Sequence, residues 1–298
     1  MRARHRGSRC QLLRGIALVF LVLLAARGEA NDDDAPRIAT LDWTLAETLT
    51  ALDVTPLAVA QVDAYHAWVG KPRLPDAVHD LGLRGQPNLE RLAALEPDHI
   101  LISPRFANLA PRLERIAPVT QLALYTGETA IWPAIRNLTR DVGAIANREA
   151  AADQLLATTQ ARIRALSERL TPAHREQPLA VIQFADARHV RIFGAGSLFQ
   201  GVIERLGLTN AWDGGTNAWG FQVVALERLA DLDGRLVVVR PFPEGVAAQL
   251  ERPGLWRQLP SVRRGNTVTL PPVWSFGALP SARRFAELLV AGLTEGED

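Results

Sequence analysis

An α/β fold in two similar halves is what this sequence predicts, and three observations carry the prediction. The segment Leu89-Glu90-Arg91-Leu92-Ala93-Ala94-Leu95 returns 137 residues later as Leu226-Glu227-Arg228-Leu229-Ala230-Asp231-Leu232, with six of seven positions identical. A strand-like apolar run follows each copy at the same spacing, Ile100-Leu101-Ile102 and then Val237-Val238-Val239. Short apolar runs also alternate with helical periodicity, the pattern of β-α-β units. Two unrelated Leu/Ala-rich helices are the alternative, but the Glu, the Arg and the following strand all recur in phase, which favours an internal repeat.

The first 30 residues read as a signal peptide, with an uncleaved anchor as the alternative. An Arg-rich start precedes the 11-residue apolar run Ile16 to Ala26, too short to span a bilayer comfortably. Gly28 and Ala30 place small residues for a cut after Ala30, and the acidic run Asn31-Asp32-Asp33-Asp34 would open the mature chain. Cys10 lies upstream of the apolar run, so the mature chain has no disulfide and no thiolate metal site. An exported protein without a membrane span, in the periplasm, is expected.

Arg37 to Leu41 reads as a strand, Thr44 is positioned to cap a helix running to Leu52, and Val54 to Ala60 returns as a strand. Residues 63–84 form a loop-rich excursion marked by Pro72, Pro75 and Gly82, of the kind that carries binding residues. Asn88 caps the helix of Leu89, Leu92 and Leu95, Pro97 ends it, and Ile100 to Ile102 is a buried strand. Ile131 to Asn147 is helical through Ile135, Leu138, Val142 and Ile145. Arg148 to Leu170 carries the longest helical pattern, with Leu155, Thr159, Ile163, Leu166 and Leu170 on one stripe. At that length it would reach roughly 35 Å, either as a connector between the halves or as a surface helix of one. Strands at Leu179 to Phe184 and Val190 to Phe193 open the second half. Ser197 caps a helix that Gly207 ends, and 210–222 is a Gly- and Trp-rich loop. A strand at Thr267 to Leu270, a loop over 271–280 and a helix from Ser281 close the chain.

The whole chain has 298 residues, 48% hydrophobic, with a formal charge of +1. Six arginines and one acid fall in residues 1–30, leaving 27 basic against 31 acidic residues, a net of −4. A mildly acidic body argues against nucleic acid as a partner. No Gly-x-Ser-x-Gly elbow and no phosphate-binding P-loop occur. Gly194-Ala195-Gly196-Ser197 lacks the third glycine of a dinucleotide fingerprint, since Phe199 stands there. His66, His79, His99, His174 and His189 show no metal-ligand spacing.

Aromatics remain. Tyr65, Trp68, Phe106, Trp212, Trp219, Trp274 and Phe276 fall in or beside irregular stretches of both halves. Singly, each reads first as core; as a group on loops they favour a ligand cleft. Arg84 is the lone charge between Leu81 and Leu89. It is either a donor to clustered oxygens or half of a surface ion pair. Glu90 and Glu227, equivalent across the repeat, read first as helix-start glutamates and second as paired docking knobs for a two-fold partner.

The chain resembles the periplasmic ferric-hydroxamate (ferrichrome-type) siderophore-binding proteins, the substrate-binding components of iron-siderophore ABC importers. The resemblance runs from about Arg37 to Phe285. It rests on Gly82-Leu83-Arg84 with Pro87-Asn88-Leu89-Glu90, Arg115-Ile116-Ala117-Pro118, Ser197-Leu198-Phe199-Gln200, Asn210-Ala211-Trp212, Thr216-Asn217-Ala218-Trp219-Gly220 and Val273-Trp274. It implies two Rossmann-like α/β lobes, 36–147 and 174–298, bridged by one long helix, 148–170, around a shallow cleft. Arg84 resembles the family's arginine to hydroxamate oxygens; Trp68, Trp219 and Trp274 resemble pocket aromatics. Glu90 and Glu227 resemble the glutamates that engage the permease. Phe106 and Phe276 stand where the family commonly has tyrosines, which removes hydroxyl donors near the ligand. The expectation is a monomeric, non-catalytic carrier of a ferric hydroxamate, with iron held by the siderophore, no protein metal ligands and no cofactor. A cobalamin, haem or catecholate carrier of the same fold, and a secreted α/β hydrolase, are the alternatives.

Overall fold

Parallel strands need crossovers of a dozen or more residues between them, and the links of the main sheet in the first half supply that length. The computed structural model describes residues 36–127 and 130–294, so the expected signal peptide lies outside the described residues. The first half carries β1 (Ile38–Thr40), β2 (Ala58–Val59), β3 (His79–Asp80), a small hairpin of β4 (Gly82–Leu83) and β5 (Gln86–Pro87), then β6 (His99–Ile102) and β7 (Val119–Gln121). Its five-stranded sheet has the order β3-β2-β1-β6-β7, parallel throughout. The second half carries β8 (Leu179–Phe184), β9 (His189–Phe193), β10 (Phe221–Ala225), β11 (Arg235–Val239) and β12 (Thr267–Leu270), ordered β10-β9-β8-β11-β12.

Both sheets therefore share one order: the third, second, first, fourth and fifth strand of each. The repeated segments lead into β6 and β11, which pair with the first strand of their sheets, β1 and β8. The halves differ in direction, because β8, β9 and β10 are antiparallel. The link from β8 to β9 is too short for a crossover, and Asp186 closes it by accepting the N–H groups of Arg188 and His189 at 2.7 and 2.8 Å. The loop expected over 210–222 gives way at Phe221 to β10.

Caps decide several boundaries. Asp42, not Thr44, caps the first helix, Trp43–Ala51: its Oδ1 accepts the Thr44 N–H at 2.8 Å, which puts Thr44 inside the first turn. Asn88 caps Leu89–Ala94 by accepting from Arg91 N at 2.8 Å. The second copy of the repeat has Ala225 at the corresponding place, no side-chain cap, and a 3-10 helix at Leu226–Asp231 where an α-helix was expected. Ser197 Oγ caps Leu198–Leu206 through Gln200 N, and Gly207 ends it at φ 71°. The long helix spans Glu149–Ser167, shorter than the periodicity suggests, because the next turn tightens to three-residue bonds, Arg169 N to Leu166 O and Leu170 N to Ser167 O. The excursion after β2 is not all loop: Val62–Trp68 is a helix.

From Pro36 onward the chain is one compact unit. A single apolar cluster joins both sheets through the helices between them. It includes Ile38 and Leu101 of the first sheet, Val181 and Val237 of the second, and Ile135, Ile163, Phe199 and Phe285 of the intervening helices. Separate clusters cover the outer faces, around Ile100 in the first sheet and Ile182 in the second, so both faces of each sheet are buried. No helix among the described residues is long and apolar enough to cross a membrane.

Candidate functional site

The carboxyl ends of parallel strands are where an open α/β sheet binds ligands, and in the first half they converge on one cavity of about 500 Å³. Asp42, Trp43 and Thr44 follow β1; Gln61 and Trp68 follow β2; Arg84 sits in the turn of the β4–β5 hairpin that follows β3; Ser103 and Arg105 follow β6; Leu122 and Tyr125 follow β7. The second half closes it with Arg191 of β9, Trp219 and Phe221 at the start of β10, and Trp274 and Phe276 beyond β12. Its volume is that of a small-molecule site.

The aromatic wall is a run of edge-to-face contacts, the geometry that ring quadrupoles prefer. Trp43 meets Trp274 at 5.0 Å between centroids, Trp274 meets Phe276 at 5.2 Å, and Phe276 meets Trp219 at 5.3 Å. Tyr125 stacks on Trp219 at 5.6 Å and 25°. Hydrogen bonds fix the rings. Trp43 Nε1 donates to Ala60 O at 2.9 Å. Trp274 Nε1 donates to Thr44 Oγ1 at 3.1 Å, and that hydroxyl donates to Phe276 O at 2.8 Å. Tyr125 OH donates to Gly277 O at 3.0 Å. Trp219 is presented by a turn in which Asn217 Oδ1 accepts its N–H at 2.9 Å.

Arg84 lies over this wall, Cζ 3.8 Å from the Trp43 centroid and 5.8 Å from that of Trp274. Burial draws its guanidinium below the usual pKa, while Asp42 acts in the opposite sense; the group stays charged, with five donors in a planar fork. Asp42 itself is engaged, accepting from Thr44 N and, at 2.7 Å, from Ser103 Oγ. Burial, with the carboxyl of Glu47 behind it, holds the Tyr125 phenol well above its usual pKa, so it remains a neutral donor. The surface is thus apolar and aromatic with a few convergent donors, suited to a ligand with an apolar exterior and clustered oxygen acceptors.

Of the residues singled out from sequence, Arg84, Trp68, Trp219, Trp274 and Phe276 line this cavity together. Phe106 does not. It is 3% exposed in the core beneath the first sheet, because it lies on the 3-10 helix Pro104–Leu109, and it edges only a smaller neighbouring depression shared with Arg84 and Arg105. Tyr65 is also internal: it lies on a helix, and its hydroxyl donates to Pro72 O at 2.8 Å. Trp212 packs on the outer face of the second sheet. Trp43, Asp42, Tyr125, Arg191 and Phe221 are lining residues that sequence reasoning missed. Glu90 and Glu227 are exposed, each in the first turn of its helical segment. Among the described residues no histidine lines the cavity, and no cluster of His, Cys, Asp and Glu could hold a metal ion.

Residues 38–273 match the periplasmic binding protein family. The iron(3+)-hydroxamate-binding protein FhuD of Escherichia coli is 35% identical over 285 residues, 95% of this chain and 95% of its own. The achromobactin-binding periplasmic protein of Dickeya dadantii is 28% identical, covering 80% of each chain. Among solved structures, the siderophore-binding protein FhuD of Vibrio cholerae with bound Fe3+-Desferal superposes with a TM-score of 0.82 at 31% identity, over 87% of this chain and 97% of its own. A family match across residues 38–273 and a relative 35% identical over 95% of both chains lead to one conclusion: the chain belongs to the periplasmic binding protein family.

Proposed function

We propose that this protein captures a ferric hydroxamate siderophore in the periplasm, after cleavage near Ala30, and delivers it to an inner-membrane ABC permease. The observation that supports this most is Arg84, a charged fork held against Trp43 and Trp274 at the edge of an aromatic cavity, in a chain 35% identical to a ferric-hydroxamate binder. Hydroxamate oxygens around iron match its donors, and the ligand periphery matches the aromatic wall. The lobes are 36–147 and 174–298, with the helix between them as the bridge. In this reading the protein is a monomeric, non-catalytic carrier without a cofactor, in keeping with its family of periplasmic binding proteins.

Titration of the mature protein with ferrichrome, ferrioxamine, cobalamin and haemin, followed by tryptophan fluorescence, tests this. Saturable quenching by a ferric hydroxamate is expected, weakened by about tenfold or more in Arg84→Ala as charge-assisted hydrogen bonds are lost. Saturation only with cobalamin or haemin overturns the ligand class.

Glu90 and Glu227 are proposed as the permease contacts. Each opens a helical segment that leads into β6 or β11, the fourth strand of its sheet, so the two glutamates occupy equivalent places in the two halves. Glu90→Ala with Glu227→Ala is expected to abolish uptake while ligand affinity holds; a double variant that binds poorly removes the docking role.

A further inference from the structure

The cavity holds a second half-buried guanidinium. Arg191 lies on β9 in register with Gln183 of β8. Its Nη1 reaches Gln183 Oε1 at 3.5 Å, a long contact, and its Cζ stands 5.6 Å from the Phe221 ring. Gln183 is buried, and its Oε1 also accepts from Ser275 Oγ at 3.1 Å. Ser275 separates Trp274 from Phe276, so one amide orients both Arg191 and the aromatic loop. No carboxylate lies within ion-pair distance of Arg191 among the described residues. Burial draws its guanidinium below the usual pKa with no acid to offset it.

The lining residues therefore include three guanidiniums, Arg84, Arg105 and Arg191, against one carboxylate, Asp42, and that carboxylate already accepts two hydrogen bonds. An uncompensated half-buried charge is costly, and the cost falls if the ligand brings the opposite charge. A tris-hydroxamate complex of ferric iron is neutral, and one with a pendant amine is cationic. When a doubly deprotonated α-hydroxycarboxylate replaces one hydroxamate, the complex is an anion, and further pendant carboxylates add to its charge.

We infer that Arg191 is a specificity residue that selects ferric siderophores of net negative charge, carboxylate-bearing hydroxamates, over neutral and cationic ones. This rests on the ferric-hydroxamate reading above. The second sheet supplies the contact to the carboxylate while Arg84 faces the iron-bound oxygens.

The test is a charge series on the mature protein: cationic ferrioxamine B, neutral ferrichrome, and an anionic ferric complex of a citrate-centred dihydroxamate. The anion is expected to bind about tenfold tighter than the other two, the worth of one charge-assisted contact. Its affinity should fall with added salt more steeply than that of ferrichrome. Arg191→Gln should reduce the anion-to-neutral ratio to within about threefold. The wild-type salt dependence stands as a readout if that variant folds poorly. Binding of hydroxamates with no preference for the anion, or an Arg191→Gln loss equal for all three, overturns the inference and leaves the ligand class standing. Failure of all three complexes to bind overturns both.

Discussion

Glu47 joins the two halves of the molecule, and its replacement by Gln tests how. It lies on the first helix, fully buried. Its Oε1 accepts the Ala278 N–H at 2.7 Å and its Oε2 accepts from Ser281 Oγ at 2.5 Å, at the start of the terminal helix Leu279–Thr294. Burial, partly offset by these hydrogen bonds and reinforced by Asp42, pushes its pKa up to about 8 from 4.5. Other titratable groups nearby are Tyr65 and Tyr125, both raised by burial first and by Glu47 second. A folded-state pKa above the unfolded one means that the native state binds more protons between about pH 4.5 and 8, so stability falls as pH rises through that window. The slope is roughly 1.4 kcal/mol per pH unit, or on the order of 5 kcal/mol across the window. Glu47→Gln mimics the protonated acid, its carbonyl accepting from Ala278 and its amide donating to Ser281, and it does not titrate. Urea denaturation of both proteins between about pH 5 and 8 should show the Gln variant gaining on the wild type by roughly 3–4 kcal/mol. Parallel stability curves over that range would mean that Glu47 holds no extra proton in the native state, and the reasoning would fail.

Asn88→Ala removes the cap of the helix that carries Glu90 and should cost about 1 kcal/mol in urea denaturation. Gly220→Ala places a Cβ against the backbone of Ser197, at φ 76°. It should destabilise by about 1–3 kcal/mol and shift the fluorescence of Trp219, which a wild-type emission spectrum would contradict.

Much of the architecture could be read directly from the residues. The repeat was readable because an amphipathic turn and a buried strand recur in the same order, and those strands occupy equivalent places in the two sheets. Its second copy departs in helix type because Ala225 offers no side-chain oxygen where Asn88 does. Tyr125 escaped because β7, only Val119–Gln121, is too short to stand out by periodicity; once that strand is known, the loop after it belongs to the ligand edge. Arg191 sits between buried Val190 and Ile192. Alternation says that it faces away from them, but only the packing of the second sheet against the first turns that face into a cavity wall. Phe106 misled because the run after Ile102 reads as a loop, whereas a 3-10 helix turns the ring inward.

The loop over 271–278 belongs in sequence to the second half, yet it is fastened to the first. Thr44 Oγ1 donates to Phe276 O, Tyr125 OH donates to Gly277 O, and Glu47 accepts from Ala278 N. Beneath these bonds the apolar cluster runs unbroken from the first sheet through the terminal helix to the second, with Phe199 and Phe285 ring to ring at 4.4 Å. Swinging the halves apart would expose that cluster and unpair buried polar groups, and both cost free energy. Trp274 and Phe276 therefore form one rigid surface with Trp43 and Arg84, while Trp219 and Arg191 stand on the second sheet. In a cleft held this way, little binding energy goes into closure. Differences in affinity between ligands then follow from what each meets on the walls, the condition under which the proposed selection at Arg191 would operate.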